Sequence, residues 1–205
     1  MARSSASSAR LLRTDASPEQ QERAIIAAAT FEFSDVGIRR ANMDLVARRA
    51  GISRSTLYRR FPNKEELLAA VMRETSSQIT TLITHNVQGL SPTEAIVEAF
   101  RVALDQVRQN PLMRRIVTDE TDMAGTILGL LGRDTDVMLD TFATGVARTL
   151  RNAGATMPDD DLRVASELLV RLSTSLLQAP SPAIDLSSDD AIASFGEKFL
   201  APLVW

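Results

Sequence analysis

A chain of 205 residues with 44 % hydrophobic, 24 % charged and 4 % aromatic residues is typical of a helix-rich globular protein, and its lack of cysteine excludes disulfides, thiolate metal sites and thiol catalysis. There is no apolar run of about 18 residues and no signal-peptide core, so a cytoplasmic protein without a membrane partner is expected. The formal net charge is −3, but residues 1–73 carry +5 and residues 74–205 carry −8, which suggests that the N-terminal part meets a polyanion.

Residues 1–16 are rich in Ser, Ala and Arg and show no apolar periodicity, which predicts a disordered arm. Its arginines, Arg3, Arg10 and Arg13, could contact phosphates or a minor groove, or the segment could be a plain tail.

A first helix is predicted to begin at "SPEQ", residues 17–20, where Ser and Gln form a capping box and Pro occupies the first helical position. Ile26, Ala29 and Phe33 form its apolar stripe, and Gly37 suits a left-handed end.

The next segment predicts two short helices joined by a tight turn at Gly51. Asn42 caps the first of them and Ser53 caps the second. The apolar residues expected to face inward on the first helix are Met43, Val46, Ala47 and Ala50.

On the third helix, Leu57 and Phe61 form the inward pair, so Arg54, Tyr58 and their neighbours Ser55 and Arg59 face outward. Residues 39–64 contain eight basic residues and a single acid, Asp44. Pro62 ends the helix, and a fourth helix starts near Asn63 and continues to about residue 86.

In the rest of the chain apolar residues recur at helical spacing, which predicts further helices, and no alternating strand pattern is found. The predicted fold is therefore all-α. The domain hypothesis is an N-terminal helix-turn-helix domain over residues 17–73 and a larger helical domain over residues 74–205.

Residues 27–72, "AAATFEFSDVGIRRANMDLVARRAGISRSTLYRRFPNKEELLAAVM", resemble the DNA-binding domain of the TetR family of bacterial transcriptional repressors. The spacing from Phe33 and Gly37 through Ala50-Gly51 and Leu57-Tyr58 to Lys64 is that of the family. Beyond about residue 86, the resemblance lies only in length and helical character.

The resemblance implies that the helix after Ser53 is a recognition helix and that Lys64 binds phosphate. Arginine can donate to guanine or phosphate, and hydroxyls can bind phosphate oxygens. Arg60 replaces a common His or aromatic residue of the family, so the operator sequence cannot be read from the match. The predicted DNA-binding residues are Arg40, Asn42, Ser53, Arg54, Ser55, Thr56, Tyr58, Arg59, Arg60 and Lys64.

The resemblance also implies that the second domain dimerises and binds an effector. A homodimer would read two half-sites of a palindromic double-stranded operator. Residues 134–153 and 158–178 best match the helices that pair with a partner. Some of the apolar residues on these two helices must also pack in the chain's own core. The predicted dimerisation residues are Leu139, Phe142, Val146, Leu150, Leu162, Ala165, Leu169, Leu172 and Leu176.

A small apolar or amphipathic effector is expected among residues 79–145, because the candidate walls are mostly apolar. Each of these residues could instead belong to the core, and His85 could be an exposed residue near a helix end. The candidates are His85, Phe100, Leu104, Met113, Met123, Ile127, Leu130 and Phe142. No cofactor and no metal are expected.

The function predicted is a ligand-responsive transcriptional regulator, and the family mostly represses. One histidine, no cysteine and no Gly-rich phosphate loop argue against an enzyme. A helical protein–protein adaptor without DNA binding is the alternative, and the basic residues of the third helix disfavour it.

Overall fold

The computed structural model describes residues 17–119, 135–179 and 181–205, and the regular structure of these residues is helical throughout, as predicted. None of the described helices is long and apolar enough to cross a membrane. The helices in chain order are α1 Pro18–Val36, α2 Met43–Ala50, α3 Arg54–Arg60, α4 Lys64–Asn86, α5 Pro92–Gln109, α6 Pro111–Asp119, α7 Thr135–Asn152, α8 Asp159–Gln178 and α9 Asp189–Phe195. A π-helical turn, Gly196–Leu200, and a 3-10 turn, Ala201–Leu203, follow α9.

Two groups of sequence predictions lie outside the described residues. They are the disordered arm of residues 1–16 and the effector residues Met123, Ile127 and Leu130.

The chain divides into two compact units, and the division falls between Glu74 and Thr75. In the first unit α1 packs mainly on α2, and α2 packs on α3. Its most deeply buried large side chains are Ile25, Phe33, Val46, Leu57, Leu67 and Val71.

Two details of α1 differ from the prediction. Ile25 is fully buried whereas Ile26 is half-buried, so Ile25 takes the place predicted for Ile26, while Ala29 and Phe33 are fully buried as predicted. Gly37 has φ 85° and ψ 159°, which is a positive φ with extended ψ and not a left-handed helical turn. Glycine is favoured there because a Cβ makes this region of backbone space costly.

Capping boxes start α1, as predicted, and α5. The Gln20 N–H donates to Ser17 Oγ and the Ser17 N–H donates to Gln20 Oε1, at 3.2 and 2.9 Å. At α5, the Ser91 hydroxyl and the Ser91 N–H donate to Glu94 Oε2 at 2.7 and 2.9 Å. Because these bonds favour the charged carboxylate, they lower the pKa of Glu94.

The core of the second unit is built from α5, α7, α8, α9 and the turns after α9. Among the described helices, α7 and α8 make the most extensive contact. Five predicted dimerisation residues are buried within one chain and expose at most 6 % of their surface. Because the chain covers these side chains itself, they have little surface left for a partner, and their part in dimerisation stays a prediction. These residues are Leu139, Leu150, Leu162, Ala165 and Leu169.

The other predicted dimerisation residues keep more surface. Phe142, Val146 and Leu176 are half-buried, and Leu172 is exposed. Leu172 is one of three exposed apolar residues on α8. Val164 is 60 % exposed, Leu168 is 45 % exposed and Leu172 is 43 % exposed. Their spacing of four places them on one helix face, which we call the outer α8 stripe.

The C-terminal residues close the connection between α7 and α8. The backbone N–H groups of Thr156 and Met157 donate to the Trp205 carbonyl oxygen at 2.8 and 3.0 Å. Val204 is buried, while the Trp205 side chain remains 62 % exposed. The backbone of the last two residues, more than the indole, therefore stabilises this connection.

Deleting Val204 and Trp205 is expected to lower the free energy of unfolding by about 3 kcal/mol, since a buried valine side chain and two backbone hydrogen bonds are lost. Guanidinium denaturation followed by circular dichroism measures the change. Trp205→Ala is the control, because it keeps the carbonyl and Val204, and it should cost less than about 1 kcal/mol. An equal loss in both variants would contradict this account.

Candidate nucleic-acid interface

The α2–turn–α3 segment has the geometry of a helix-turn-helix. The Asn42 side-chain oxygen accepts from the Asp44 N–H at 2.8 Å and caps α2. Gly51 follows α2 with φ 71° and ψ 28°, and its N–H donates to the last turn of α2. This left-handed conformation turns the chain sharply into α3 and favours glycine.

Hydroxyl groups cluster at the start of α3. Ser53 Oγ accepts from the Thr56 N–H at 3.1 Å and caps the helix. The same oxygen lies 2.9 Å from Ser55 Oγ and 2.8 Å from Thr56 Oγ1. Ser53 and Ser55 are exposed and Thr56 is half-buried, and exposed hydroxyls can bind phosphate oxygens.

Helix α3 buries Leu57 and presents a basic face on the opposite side. The Arg54 side chain is 68 % exposed, and its guanidinium carbon lies 5.3 Å from the centre of the Tyr58 ring. Arg59 is exposed and Tyr58 is half-buried. An exposed arginine beside an aromatic ring can donate to guanine or to a phosphate while its position is restricted.

Two ion pairs in this unit were not predicted from the sequence. Arg54 Nε lies 3.1 Å from Asp44 Oδ1, and Arg60 Nη1 lies 3.5 Å from Glu22 Oε2. The Arg60 side chain is only 23 % exposed and turns toward α1. A contact between Arg60 and DNA therefore requires the arginine to leave this pair.

A buried carboxylate supports the start of α2 and was also missed. Glu32 on α1 is 4 % exposed, and its Oε1 accepts from the Asn42 N–H at 3.2 Å. The backbone N–H of the capping residue, Asn42, thereby has an acceptor within the first unit. No local sequence signal identifies this contact, because Glu32 looks like an ordinary surface glutamate.

The loop between α1 and α2 is fixed by two basic side chains. Arg40 is exposed, and its Nε donates to the Val36 carbonyl at 2.9 Å. Lys64 Nζ donates to the carbonyls of Ile38 and Arg39 at 3.0 and 2.9 Å. Lys64, predicted to bind phosphate, thus also ties the start of α4 to this loop.

Lys64→Met is expected to lower the free energy of unfolding by about 1–2 kcal/mol, because two charge-assisted hydrogen bonds to the loop are lost. Thermal or urea denaturation of the DNA-free protein measures it. Arg59→Met is the matched control, since this exposed side chain should change stability by less than about 0.5 kcal/mol. Equal stability of both variants would show that Lys64 does not hold the loop.

The predicted effector residues that the structure describes differ in their burial. Phe100 and Leu104 lie in the core of the second unit, where the Phe100 ring is 5.7 Å from that of Phe195. Met113 is buried, Phe142 is half-buried and His85 is exposed. Their part in binding an effector stays a prediction.

Family models match most of the chain. Residues 25–71 match the model for bacterial regulatory proteins of the tetR family, and residues 92–196 match the model for the C-terminal domain of the bacterial tetracycline repressor. The first match covers the whole α2–turn–α3 segment. The second covers α5 to the end of α9.

Individual relatives agree with these matches. An HTH-type transcriptional regulator of Mycobacterium bovis is 25 % identical over 170 residues, which cover 83 % of this chain and 87 % of the relative. The TetR family repressor AlkX from Dietzia, implicated in biodegradation of n-alkanes, has a similar structure, with a TM-score of 0.66 at 20 % identity over 89 % of this chain and 98 % of the other. RolR in complex with its ligand resorcinol has a TM-score of 0.62 at 18 % identity over 91 % of this chain and 88 % of the other.

A helix-turn-helix with a basic outward face, an all-helical second unit and family models that together span more than half of the sequence point to one conclusion. The resemblance found in residues 27–72 is confirmed, and the family consists of regulators, not enzymes. This protein belongs to the TetR family of bacterial helix-turn-helix transcriptional regulators.

Proposed function

We propose that the protein is a homodimeric repressor that reads a palindromic DNA operator with α3 and leaves it when a small effector binds the second unit. The observation that carries the proposal is the outward face of α3, where Arg54, Tyr58 and Arg59 lie together. Because bacterial operators lie in the cytoplasm, the protein would act there.

DNA contacts are proposed for all ten residues named from the sequence. Arg54, Ser55 and Arg59 are the strongest members, because all three are exposed on α3, Arg54 and Ser55 in its first turn and Arg59 in its last. Thr56 and Arg60 are the weakest, since each is half-buried as well as engaged with a neighbour. Exposed arginines supply both base readout and phosphate contacts.

Dimerisation is proposed through the outer α8 stripe. Val164, Leu168 and Leu172 expose large apolar surface on one helix face, and such surface is usually covered by a partner. A helix of seven residues reads few base pairs, so two copies are needed to read half-sites about one helical turn apart. Leu172 is also among the dimerisation residues predicted from the sequence, and the five buried ones remain predictions.

The effector is proposed to be small and apolar or amphipathic. The core of the second unit consists of packed apolar side chains such as Phe100, Leu104 and Leu169. RolR binds resorcinol and AlkX is implicated in n-alkane biodegradation, so two proteins of similar fold act in the metabolism or sensing of such molecules. An effector can release the operator only if it binds the DNA-free conformation more tightly than the DNA-bound one.

Footprinting on the DNA that flanks the protein's own gene tests the proposal. A protected palindrome whose affinity falls steeply with salt is expected, because cations neutralise several phosphates at each half-site. A duplex pool of random sequence serves as the second probe in case the operator lies elsewhere. Failure to enrich any sequence from that pool would contradict operator binding.

A further inference from the structure

The single acid of the basic segment lies on its outward side. Residues 39–64 contain eight basic residues and one carboxylate, Asp44. Asp44 is the second residue of α2, and its side chain is 43 % exposed. A carboxylate so close to a DNA-facing surface repels phosphates, and it weakens the non-specific part of DNA binding.

Asp44 faces one particular cation. Its Oδ1 atom is buried and lies 3.1 Å from Arg54 Nε; it accepts no hydrogen bond from the described residues, so the contact is an ion pair. Arg54 is the first residue of α3, so the pair joins the first turns of the two helices of the helix-turn-helix. Because Arg54 is 68 % and Asp44 43 % exposed, water screens the pair and it adds little to stability. Its effect is on the position of the guanidinium.

The contact leaves the other edge of the guanidinium available. Asp44 approaches Nε, and the Tyr58 ring lies 5.3 Å from the guanidinium carbon. The two terminal nitrogens, Nη1 and Nη2, can still donate together to O6 and N7 of one guanine. A phosphate that approached the same arginine would meet the negative charge of Asp44.

We propose that Asp44 is a specificity-determining residue that positions Arg54 for guanine and penalises its use on phosphates. The inference rests on the proposed reading of DNA by α3. Asp44 acts through Arg54, and it makes sequence preference higher at the cost of total DNA affinity. One guanine in each half-site should depend on this pair.

The test compares wild type with Asp44→Asn on two duplexes at the same salt concentration. One duplex is enriched by the wild-type protein from a random pool, and the other is its scrambled version. Asp44→Asn is expected to bind the scrambled duplex about threefold more tightly and to lower the ratio of the two affinities about tenfold. Selection with the variant should relax the preference at one position of each half-site and leave the others unchanged.

Arg54→Ala and the double variant complete a mutant cycle. In the Arg54→Ala background, Asp44→Asn should change the affinity ratio by less than about twofold, because the residue through which it acts is gone. Asp35→Asn, an exposed acid at the end of α1, controls for net charge and should leave the ratio near that of wild type. Equal thermal midpoints for wild type and Asp44→Asn would exclude a folding defect as the cause.

The outcomes separate this inference from the proposed function. An unchanged ratio in Asp44→Asn, or an equal effect with and without Arg54, overturns the role of Asp44 while operator binding stands. Absence of any sequence preference in the wild-type protein overturns the proposed function, and the inference falls with it.

Discussion

Replacing Arg54 and Tyr58 together with alanine is expected to weaken operator binding by about a hundredfold or more. Each contact between an arginine and a guanine contributes about 1–3 kcal/mol of discrimination, and a dimer makes each contact twice. Arg54 is 68 % exposed, Tyr58 is half-buried, and neither is among the buried core residues that include Leu57. Fluorescence anisotropy on the protected duplex measures the loss.

A charge-matched control separates base reading from general attraction. Arg23 is an exposed cation on α1 that was not predicted to contact DNA. Arg23→Ala removes one positive charge from the same unit and should weaken binding by less than about threefold. Operator protection by the Arg54→Ala/Tyr58→Ala variant at wild-type affinity would refute reading by α3.

A charge placed in the outer α8 stripe should separate the dimer. Leu168→Glu puts a carboxylate between Val164 and Leu172, and burial of an unpaired charge at an interface costs several kcal/mol. The variant should sediment as a monomer at micromolar concentration. Its operator affinity should fall by about a hundredfold or more, because one copy reads a single half-site.

The control for this variant is the same substitution on another helix. Leu82 on α4 is 37 % exposed, so Leu82→Glu introduces an equal charge on a different helix. This variant should remain dimeric. A dimeric Leu168→Glu protein with unchanged sedimentation would place the interface elsewhere.

Local signals in the sequence were enough to predict where the helices begin and which residues form the turn. Ser17 with Gln20, and Ser91 with Glu94, are separated by three residues, so their hydrogen bonds depend only on the first turn of a helix. Gly51 was likewise predictable, because a tight left-handed turn between two short helices favours glycine.

Contacts between distant side chains could not be predicted in this way. The pairs Arg60–Glu22 and Arg54–Asp44, and the bond from Asn42 to Glu32, depend on how α1, α2 and α3 pack. Sequence spacing indicates which residues face outward, but it does not say which two outward side chains meet.

Helix α8 shows that sequence spacing also does not determine which apolar residues are buried. It carries two apolar stripes, one with Leu162 and Leu169 and the other with Val164, Leu168 and Leu172. Both have helical spacing, so periodicity alone does not decide which stripe the chain covers itself. The structure buries the first against α7 and α5 and leaves the second exposed.

The anchored C-terminal residue also provides an optical signal. The chain contains one tryptophan, Trp205, and one tyrosine, Tyr58, and they belong to different units. Trp205 is held by its backbone against the α7–α8 connection, so its emission reports on the second unit, while Tyr58 absorbance reports on α3. Loss of structure in either unit can therefore be followed spectroscopically in the unlabelled wild-type protein.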